Sequence, residues 1–348
     1  MAGATPQLIK ELREMTGAGM LDCKNALNET GGDLEKAVQA LREAGLGKAA
    51  KKAGNVAAEG LVSVLVSQDN TKAVILELNS QTDFVAKNEN FVNLTKEITT
   101  HALNSGIESA EALASSSING QDFPTFLNEK IATIGENLVA RKLTTVSSDV
   151  VNGYVHATGR VGVLLAATCN EAVKDKAAAL LRNIAMHASA MKPTVISYKD
   201  LDPAFVESEN KAIRAEIEAE NDELKRLGKP LKNIPDYVSK SQLTDAAIAA
   251  AKAAFEEELK AQGKPEKIWA NIIPGKIERY ITDNTQLDGR FALLSQAYVM
   301  DDKKTVEQAI AEVDASIVIT EYVRFELGEG IEKKEEDFAA EVAKQMGK

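Results

Sequence analysis

The sequence predicts an α+β protein made of a small helical module, two related sheet-and-helix units and a helical insertion. Three observations support this class. Apolar residues recur at helical spacing over residues 7–46, strand-like hydrophobic runs follow from Val56, and the same strand-turn-strand-helix order returns over residues 151–190. With 348 residues, of which 44% are hydrophobic and 27% charged, the chain has room for two or three globular domains.

Charge and cysteine content restrict the function classes. The net charge of −11 disfavours nucleic-acid binding, which needs a basic face, so proteins are the expected partners. Cys23 and Cys169 lie far apart without C-x-x-C spacing, which predicts neither a disulfide framework nor a zinc site and fits a reducing compartment. Without a signal-like N-terminus or an apolar window near 18 residues, we expect a cytoplasmic protein that does not bind membranes.

Residues 1–55 are predicted to form a three-helix module and a linker. Apolar spacing indicates one helix that ends at Gly17, a second over about 21–28, and a third that Asp33 caps and Gly45 closes. Such a bundle is too small to be a catalytic scaffold and suits protein binding.

Two parts of this module bear on partners. Met20 and Leu21 are apolar residues at a turn that we expect to be exposed. Residues 47–55 are small, basic and bounded by glycine, which indicates a linker or a solvated helical connector, and a flexible hinge is the favoured interpretation. A basic contact with an acidic partner is the alternative.

A first core unit is predicted over residues 56–147. Strands are expected at about 60–66 and 73–78, joined by a turn at 68–70, which is a β-hairpin pattern. A helix follows from about residue 90, and polar residues with short helical pieces precede another helix near residue 123.

The turn after this hairpin, Gln81–Asn88, is the most informative stretch. Thr82 or Asp83 is a candidate N-cap for the helix that begins near Asn90. Phe84 beside the cap has two interpretations. It could pack back on its own helix as a hydrophobic staple, or it could be an exposed aromatic that enters another protein.

A repeat favours the second interpretation. Aligning His101 with His187 gives an offset of 86 residues (187 minus 101), and hairpin and helix patterns coincide at that offset. Residues 82–84 then correspond to 168–170, which read Thr-Cys-Asn, so only the first copy carries the Asp-Phe pair. A packing role would not predict this difference.

A helical insertion is predicted at residues 205–264. Gly-Lys-Pro breaks at 228–230 and 263–265 bound a second, alanine-rich helix over about 243–259. We therefore expect an antiparallel coiled-coil hairpin, whose first helix presents a heptad seam formed by Val206, Ile213, Ile217, Leu224 and Leu227.

The insertion divides the second core unit into residues 148–204 and 265–327. Apolar runs near 295–300 and 316–325 are expected to complete its sheet. Residues 328–348 then form a C-terminal module with an amphipathic helix over 338–346, which either packs or binds a partner.

No catalytic set is recognisable in the sequence. Phosphate-loop, nucleophile-elbow and zinc-protease motifs do not occur. His101 and His187 occupy matching positions, which indicates structural roles, whereas surface, core and interface positions remain open for His156. We therefore expect no enzymatic activity, no cofactor and no metal.

Several long stretches resemble bacterial translation elongation factor Ts. The similarity extends along the chain except across 205–285, where the insertion is longer than in short family members. The matching stretches are LIKELREMTGAGMLDC (8–23), AAKKAGNVAAEG (49–60), QTDFVAK (81–87), IGEN (134–137), GVL (162–164) with IAMH (184–187), and RFELGEGIEK (324–333).

This resemblance implies guanine-nucleotide exchange on elongation factor Tu. It implies a UBA-like N-terminal module that contacts the G domain of Tu, and a terminal module that also docks on Tu. The residues implied near the Mg²⁺ site of Tu are Thr82, Asp83, Phe84 and Val85, and those implied to contact Tu are Lys10, Arg13, Met20, Leu21 and His156. A homodimer or a Tu2Ts2 assembly is left open, and a scaffold or holdase that does not accelerate nucleotide release is the alternative function.

Overall fold

The computed structural model describes residues 3–156 and 158–332, without the side chains of Leu46 and Lys48. It divides into two compact units, one formed by the residues up to Ala166 with those from Val323, the other by Ala167–Tyr322. Helices combined with small antiparallel sheets confirm the predicted α+β class. The finer division into five segments stays a prediction, and the helix predicted over 338–346 lies outside the described residues.

The first unit holds the N-terminal helices, the first sheet and most of the second sheet. No helix of the described residues is long and apolar enough to cross a membrane. The elements of the first unit are α1 (Pro6–Thr16), α2 (Met20–Glu29), α3 (Leu34–Lys52), β1 (Glu59–Val66), β2 (Lys72–Ser80), α4 (Asp83–Ala86), α5 (Glu89–Ser105), α6 (Ala110–Ala114), β3 (Ser117–Ile118), β4 (Gln121–Asp122), α7 (Phe123–Ile134), β5 (Val139–Ser147), β6 (Val150–Val155) and β7 (Val161–Thr168).

The three N-terminal helices form as predicted, but the third is longer. Asp33 caps α3 by accepting a hydrogen bond from the Lys36 N–H, and the helix then continues through Gly45 to Lys52. A Cβ at Gly45 would lie 3.1 Å from the Cβ of Ala132, so glycine allows α3 and α7 to approach closely. The predicted closure at Gly45 and the flexible hinge are therefore wrong, because most of the basic segment continues the helix, in agreement with the interpretation as a helical connector.

The first sheet has the order β1-β2-β5, and all its neighbours are antiparallel. Its central strand is buried on both faces. Leu76 and Leu78 pack with Phe91 and Ile98 of α5, whereas Ile75 points to the other face. Sequence patterning did not predict β5, since two basic residues interrupt its apolar run.

The second sheet has the order β10-β7-β6, where β10 is the strand Val318–Glu326. Within the first unit it packs face to face on β1 and β2, with Leu164 and Phe325 against Val62 and Ile75. A Cβ at Gly162 would lie 2.5 Å from Cγ1 of Val62, so the close approach of the sheets requires glycine at this position.

The hairpin-plus-helix order predicted from the sequence occurs twice, as β1, β2 and α5 and again as β6, β7 and α8 (Lys174–Met191). In each copy the long helix is followed, after other helices, by a short two-stranded hairpin, a helix and a final strand. The remaining elements of the second unit are α9 (Pro203–Arg226), α10 (Asp245–Ala261), α11 (Trp269–Asp283), α12 (Gln286–Phe291), β8 (Ala297–Tyr298), β9 (Asp301–Thr305), α13 (Val306–Val313) and the start of β10.

The helices of the insertion pair differently from the heptad expectation. Val206 and Ile213 of α9 pack with Val238 and Leu287. Within the described residues, α10 packs against α11, where Glu258 binds Lys276 at 2.6 Å, and has few contacts with α9. The insertion is helical as predicted, but the first part of the α9 seam packs on a connecting segment and α12, and Leu227 at its end is exposed.

Candidate functional site

The stretch singled out in the sequence forms a tight corner between β2 and α5. Thr82 is the N-cap of α4, since its Oγ1 accepts a hydrogen bond from the Val85 N–H at 3.3 Å. The long helix α5 has a separate cap, Asn88, whose Oδ1 accepts from the Asn90 N–H at 2.8 Å. Of the two candidate caps, Thr82 is correct, and it caps a helix of four residues rather than the long one.

A residue that the sequence did not single out, Glu136, holds this corner. One carboxylate oxygen, Oε2, accepts hydrogen bonds from the N–H groups of Gln81 and Thr82, each at 3.0 Å. The other, Oε1, accepts from the Thr82 hydroxyl at 2.6 Å. Glu136 follows Gly135, the left-handed residue (φ 87°) that ends α7. Its motif was noted in the sequence, but a contact across 54 residues has no local signal.

Phe84 projects from the corner into solvent. Its side chain is 81% exposed, whereas Ala86, on the same turn, is buried, and Val85 packs partly against the core of the first unit. This exposure excludes the staple interpretation, in which Phe84 would pack on its own helix. A large aromatic side chain left in water is a feature of surfaces that bind partners.

Asp83 adds a charge beside Phe84. Its carboxylate forms an ion pair with Lys87 Nζ at 2.7 Å, one turn further along. The hydrogen bond from Lys87 lowers the pKa of Asp83 below its ordinary value, so the carboxylate is ionised at neutral pH. The exposed face of the corner therefore combines an aromatic ring with an acid–lysine pair.

The other predicted site residues are all on the surface of the first unit. Lys10 and Arg13 are exposed on α1, and Lys10 lies 3.7 Å from Glu14. Met20 and Leu21, the first two residues of α2, are 63% and 69% exposed. His156 is exposed in the turn between β6 and β7. The described contacts include no hydrogen bond or ion pair that joins these residues to the corner.

One further apolar residue near this group was missed. Met15 is exposed at the end of α1, directly before the turn that leads to Met20. In the sequence Met15 falls at helical spacing after Leu8 and Leu12, which by itself favours a place on the buried face. The helix ends one residue later, at Thr16, so its last turn is free of the module's core.

The comparisons with known proteins match the chain to one family. A family model described as elongation factor TS covers residues 81–234 and 231–329, which is more than half of the chain. This chain belongs to the elongation factor Ts family. The resemblance inferred from the sequence is confirmed, and the chain is placed among translation elongation factors. Thr82, Phe84 and Glu136 lie within the matched residues.

Curated relatives named elongation factor Ts align with this chain over nearly its whole length. Elongation factor Ts of Aliarcobacter butzleri is 89% identical, and the alignment covers 100% of both chains. The Campylobacter concisus protein is 61% identical over 99% of both chains. The protein of Helicobacter pylori strain J99 is 54% identical, with 99% of this chain and 100% of that protein covered.

Proposed function

We propose that this elongation factor Ts chain is a guanine-nucleotide exchange factor for elongation factor Tu. The observation that carries the proposal is the exposure of Phe84 on a corner that is itself held by three hydrogen bonds. Ordinary folding does not account for an aromatic residue in that position. Binding to a partner does.

The proposed mechanism acts on the metal of the partner. A GTPase holds its nucleotide through phosphate-loop N–H groups and a Mg²⁺ ion that bridges the phosphates. Entry of Thr82, Asp83, Phe84 and Val85 near this ion would displace it and remove the largest positive charge that opposes the phosphates. GDP then leaves, and GTP can bind.

No catalytic base is required for this activity. The exchange factor has to bind nucleotide-free Tu more tightly than loaded Tu, and by linkage the nucleotide weakens the factor's own binding equally. A thousandfold weakening corresponds to a coupling free energy of about 4 kcal/mol. One buried aromatic anchor and contacts distributed over several modules can supply this amount.

The remaining surface residues are proposed to provide those distributed contacts. Met20 and Leu21 offer exposed apolar side chains, and Lys10 and Arg13 offer charge on α1. His156 is proposed as a further contact from the second sheet. Their exposure supports this assignment, because each side chain is free to enter an interface.

The alternative is a scaffold or holdase that binds Tu without accelerating nucleotide release. The two functions differ in one rate. We expect the dissociation rate of labelled GDP from Tu to rise with the concentration of this chain and then saturate, at about tenfold or more above the spontaneous rate. Binding to Tu with an unchanged GDP dissociation rate would instead support the scaffold.

A further inference from the structure

Glu136 contacts the corner in a way that core packing does not require. Its two carboxylate oxygens accept the N–H groups of Gln81 and Thr82 and the hydroxyl of Thr82, at 3.0, 3.0 and 2.6 Å. Hydrogen bonds to an ionised acceptor are stronger than those between neutral groups. Three such bonds on one carboxylate fix both the position and the orientation of the turn.

The bond to the Thr82 hydroxyl connects Glu136 to α4. The same Oγ1 that donates to Glu136 also accepts from the Val85 N–H and so caps the helix. A helix of four residues is too short to be stable alone. Its conformation therefore depends on the cap at Thr82 and on the burial of Ala86.

The orientation of the Phe84 side chain is not fixed by packing of the side chain itself. With 81% of its side chain in water, Phe84 lacks the packing that normally selects one orientation. The direction in which the ring projects is set by the backbone of α4. That backbone is fixed at its start by Thr82, and Thr82 is fixed by Glu136.

We infer that Glu136 is a positioning residue for nucleotide exchange, which holds Phe84 in the conformation that enters the partner. The inference rests on the proposed function. Because Glu136 acts through Phe84, its loss lowers the fraction of chains whose corner is competent and leaves the aromatic contact itself available.

The first test is a pair of variants at this position. Glu136→Ala removes all three bonds and is expected to lower the maximal GDP release rate by about tenfold, which corresponds to one or two net hydrogen bonds. In Glu136→Gln, the amide oxygen can still accept both N–H groups and the amide nitrogen can donate to Thr82 Oγ1. We expect that variant to stay within about threefold of the unchanged chain.

A double-mutant cycle separates positioning from general stabilisation. In a Phe84→Ala background, adding Glu136→Ala is expected to lower the maximal rate by less than about twofold, because the residue it positions is gone. The matched control is Glu97→Ala, which removes an acid that binds Asn119 and Lys130 and not the corner. An equal loss in both backgrounds, or no loss in the unchanged chain, would overturn the inference.

Amide hydrogen exchange measures the corner without any partner. Glu136→Ala is expected to accelerate exchange at the amides of Gln81 and Thr82 by about tenfold or more, with Ile75 and Leu76 of β2 unchanged. Unchanged corner amides, or loss of protection throughout β2, would contradict the inference.

The two measurements also separate this inference from the proposed function. If the unchanged chain does not accelerate GDP release, the proposed function is wrong, and so is the inferred role of Glu136 in nucleotide exchange. Amide exchange then still decides whether Glu136 fixes the corner. If the unchanged chain accelerates release and Glu136→Ala does so equally well, only the Glu136 inference is overturned.

Discussion

The two copies of the repeated unit place different residues at the same corner. After β2, Thr82 caps a turn in which Asp83 pairs with Lys87 and Phe84 is exposed. After β7, Asn170 precedes a 3-10 turn in which Glu171 pairs with Lys174 at 3.6 Å. The acid–lysine pair thus occurs in both corners, whereas the aromatic ring occurs in one.

The residue opposite Phe84 depends on how the corners are aligned. The histidines of the long helices align at an offset of 86, but the residues at the cap position align at 88 (170 minus 82). Phe84 then corresponds to Ala172, which is exposed. Both offsets place a residue without an aromatic ring at this position, so the distinction found in the sequence holds in the structure.

The two corners also differ in what holds them. Glu136 binds the first corner with a carboxylate and three hydrogen bonds. At the second corner, the hydroxyl of Ser316 accepts a hydrogen bond from the Asn170 N–H at 3.1 Å. Glu136 lies shortly before β5, and Ser316 lies shortly before β10. The charged acceptor occurs where the aromatic does, which indicates that the first corner is built for presenting Phe84.

The largest effect on stability is expected when the arginine that binds the strand leading into the first corner is replaced. Glu77 of β2 is fully buried and is bound by Arg141 Nη1 at 3.0 and 3.2 Å, whereas β7 contributes the apolar residues Leu164 and Ala166 to the same core. Arg141→Leu would leave a buried carboxylate without its main cation. We expect a loss of about 3 kcal/mol in the free energy of unfolding, measured by urea denaturation.

A matched arginine provides the control for that prediction. Arg160 pairs with Glu59 at 3.0 Å, but its side chain is half exposed. Arg160→Leu should cost less than about 1 kcal/mol. Equal losses of unfolding free energy in Arg141→Leu and Arg160→Leu would show that the burial of Glu77 does not make its ion pair more important for stability than the exposed pair.

A smaller, pH-dependent effect is expected from the matching histidines. His187 is fully buried, with Nε2 2.9 Å from Gln296 Oε1 and Nδ1 accepting the Val299 N–H at 3.2 Å. Burial lowers the pKa of His187 below its ordinary value of 6.5, although the bond to Gln296 opposes this. The unfolded chain therefore takes up the proton first. Stability is fully present above pH 6.5 and is lost as pH falls towards the lowered pKa.

Denaturation midpoints between pH 7.5 and 5.5 test this expectation. His187→Gln should flatten the decline, because the titrating ring is absent. His101→Gln, at the matching position of the first copy, is the control and should retain it, because it leaves His187 and its bonds to Gln296 and Val299 in place. A decline that persists in His187→Gln would assign the pH dependence to other groups.

The smallest effect is expected when the aromatic is added to the second corner. Ala172→Phe places a ring on an exposed turn and should change stability by less than about 0.5 kcal/mol. Added to Phe84→Ala, it should change the GDP release rate of that variant by less than about twofold, because Ser316 holds the second corner through one neutral hydrogen bond in place of the three bonds to the Glu136 carboxylate. Restored exchange in the double variant would mean that any exposed aromatic suffices.

Local signals in the sequence predicted much of the fold. The end of α1 at Gly17, the cap at Asp33 and the hairpin of β1 and β2 depend on neighbours within a few residues. Such determinants can be recognised without knowledge of the tertiary structure. The exposure of Phe84 became predictable only through the comparison with the second copy.

The features that the sequence did not predict depend on distant contacts. Gly45 would normally end a helix, but it lies inside α3, where a Cβ would come within 3.1 Å of the Ala132 Cβ of α7. The seam of α9 specifies an apolar partner without specifying which one, and Val238 and Leu287 fill that place. Glu136 lies 54 residues from Thr82, so its role followed from the structure alone.

In the proposed mechanism Phe84, rather than the surface as a whole, drives nucleotide release. This role is tested most directly by the GDP dissociation rate from Tu at saturating Phe84→Ala. We expect that rate to be about tenfold or more below that of the unchanged chain. The unfolding free energy should stay within about 0.5 kcal/mol, and Met300→Ala, which removes another exposed apolar side chain, should leave the rate unchanged. A folded Phe84→Ala chain that releases GDP at the full rate would contradict the proposed role of Phe84.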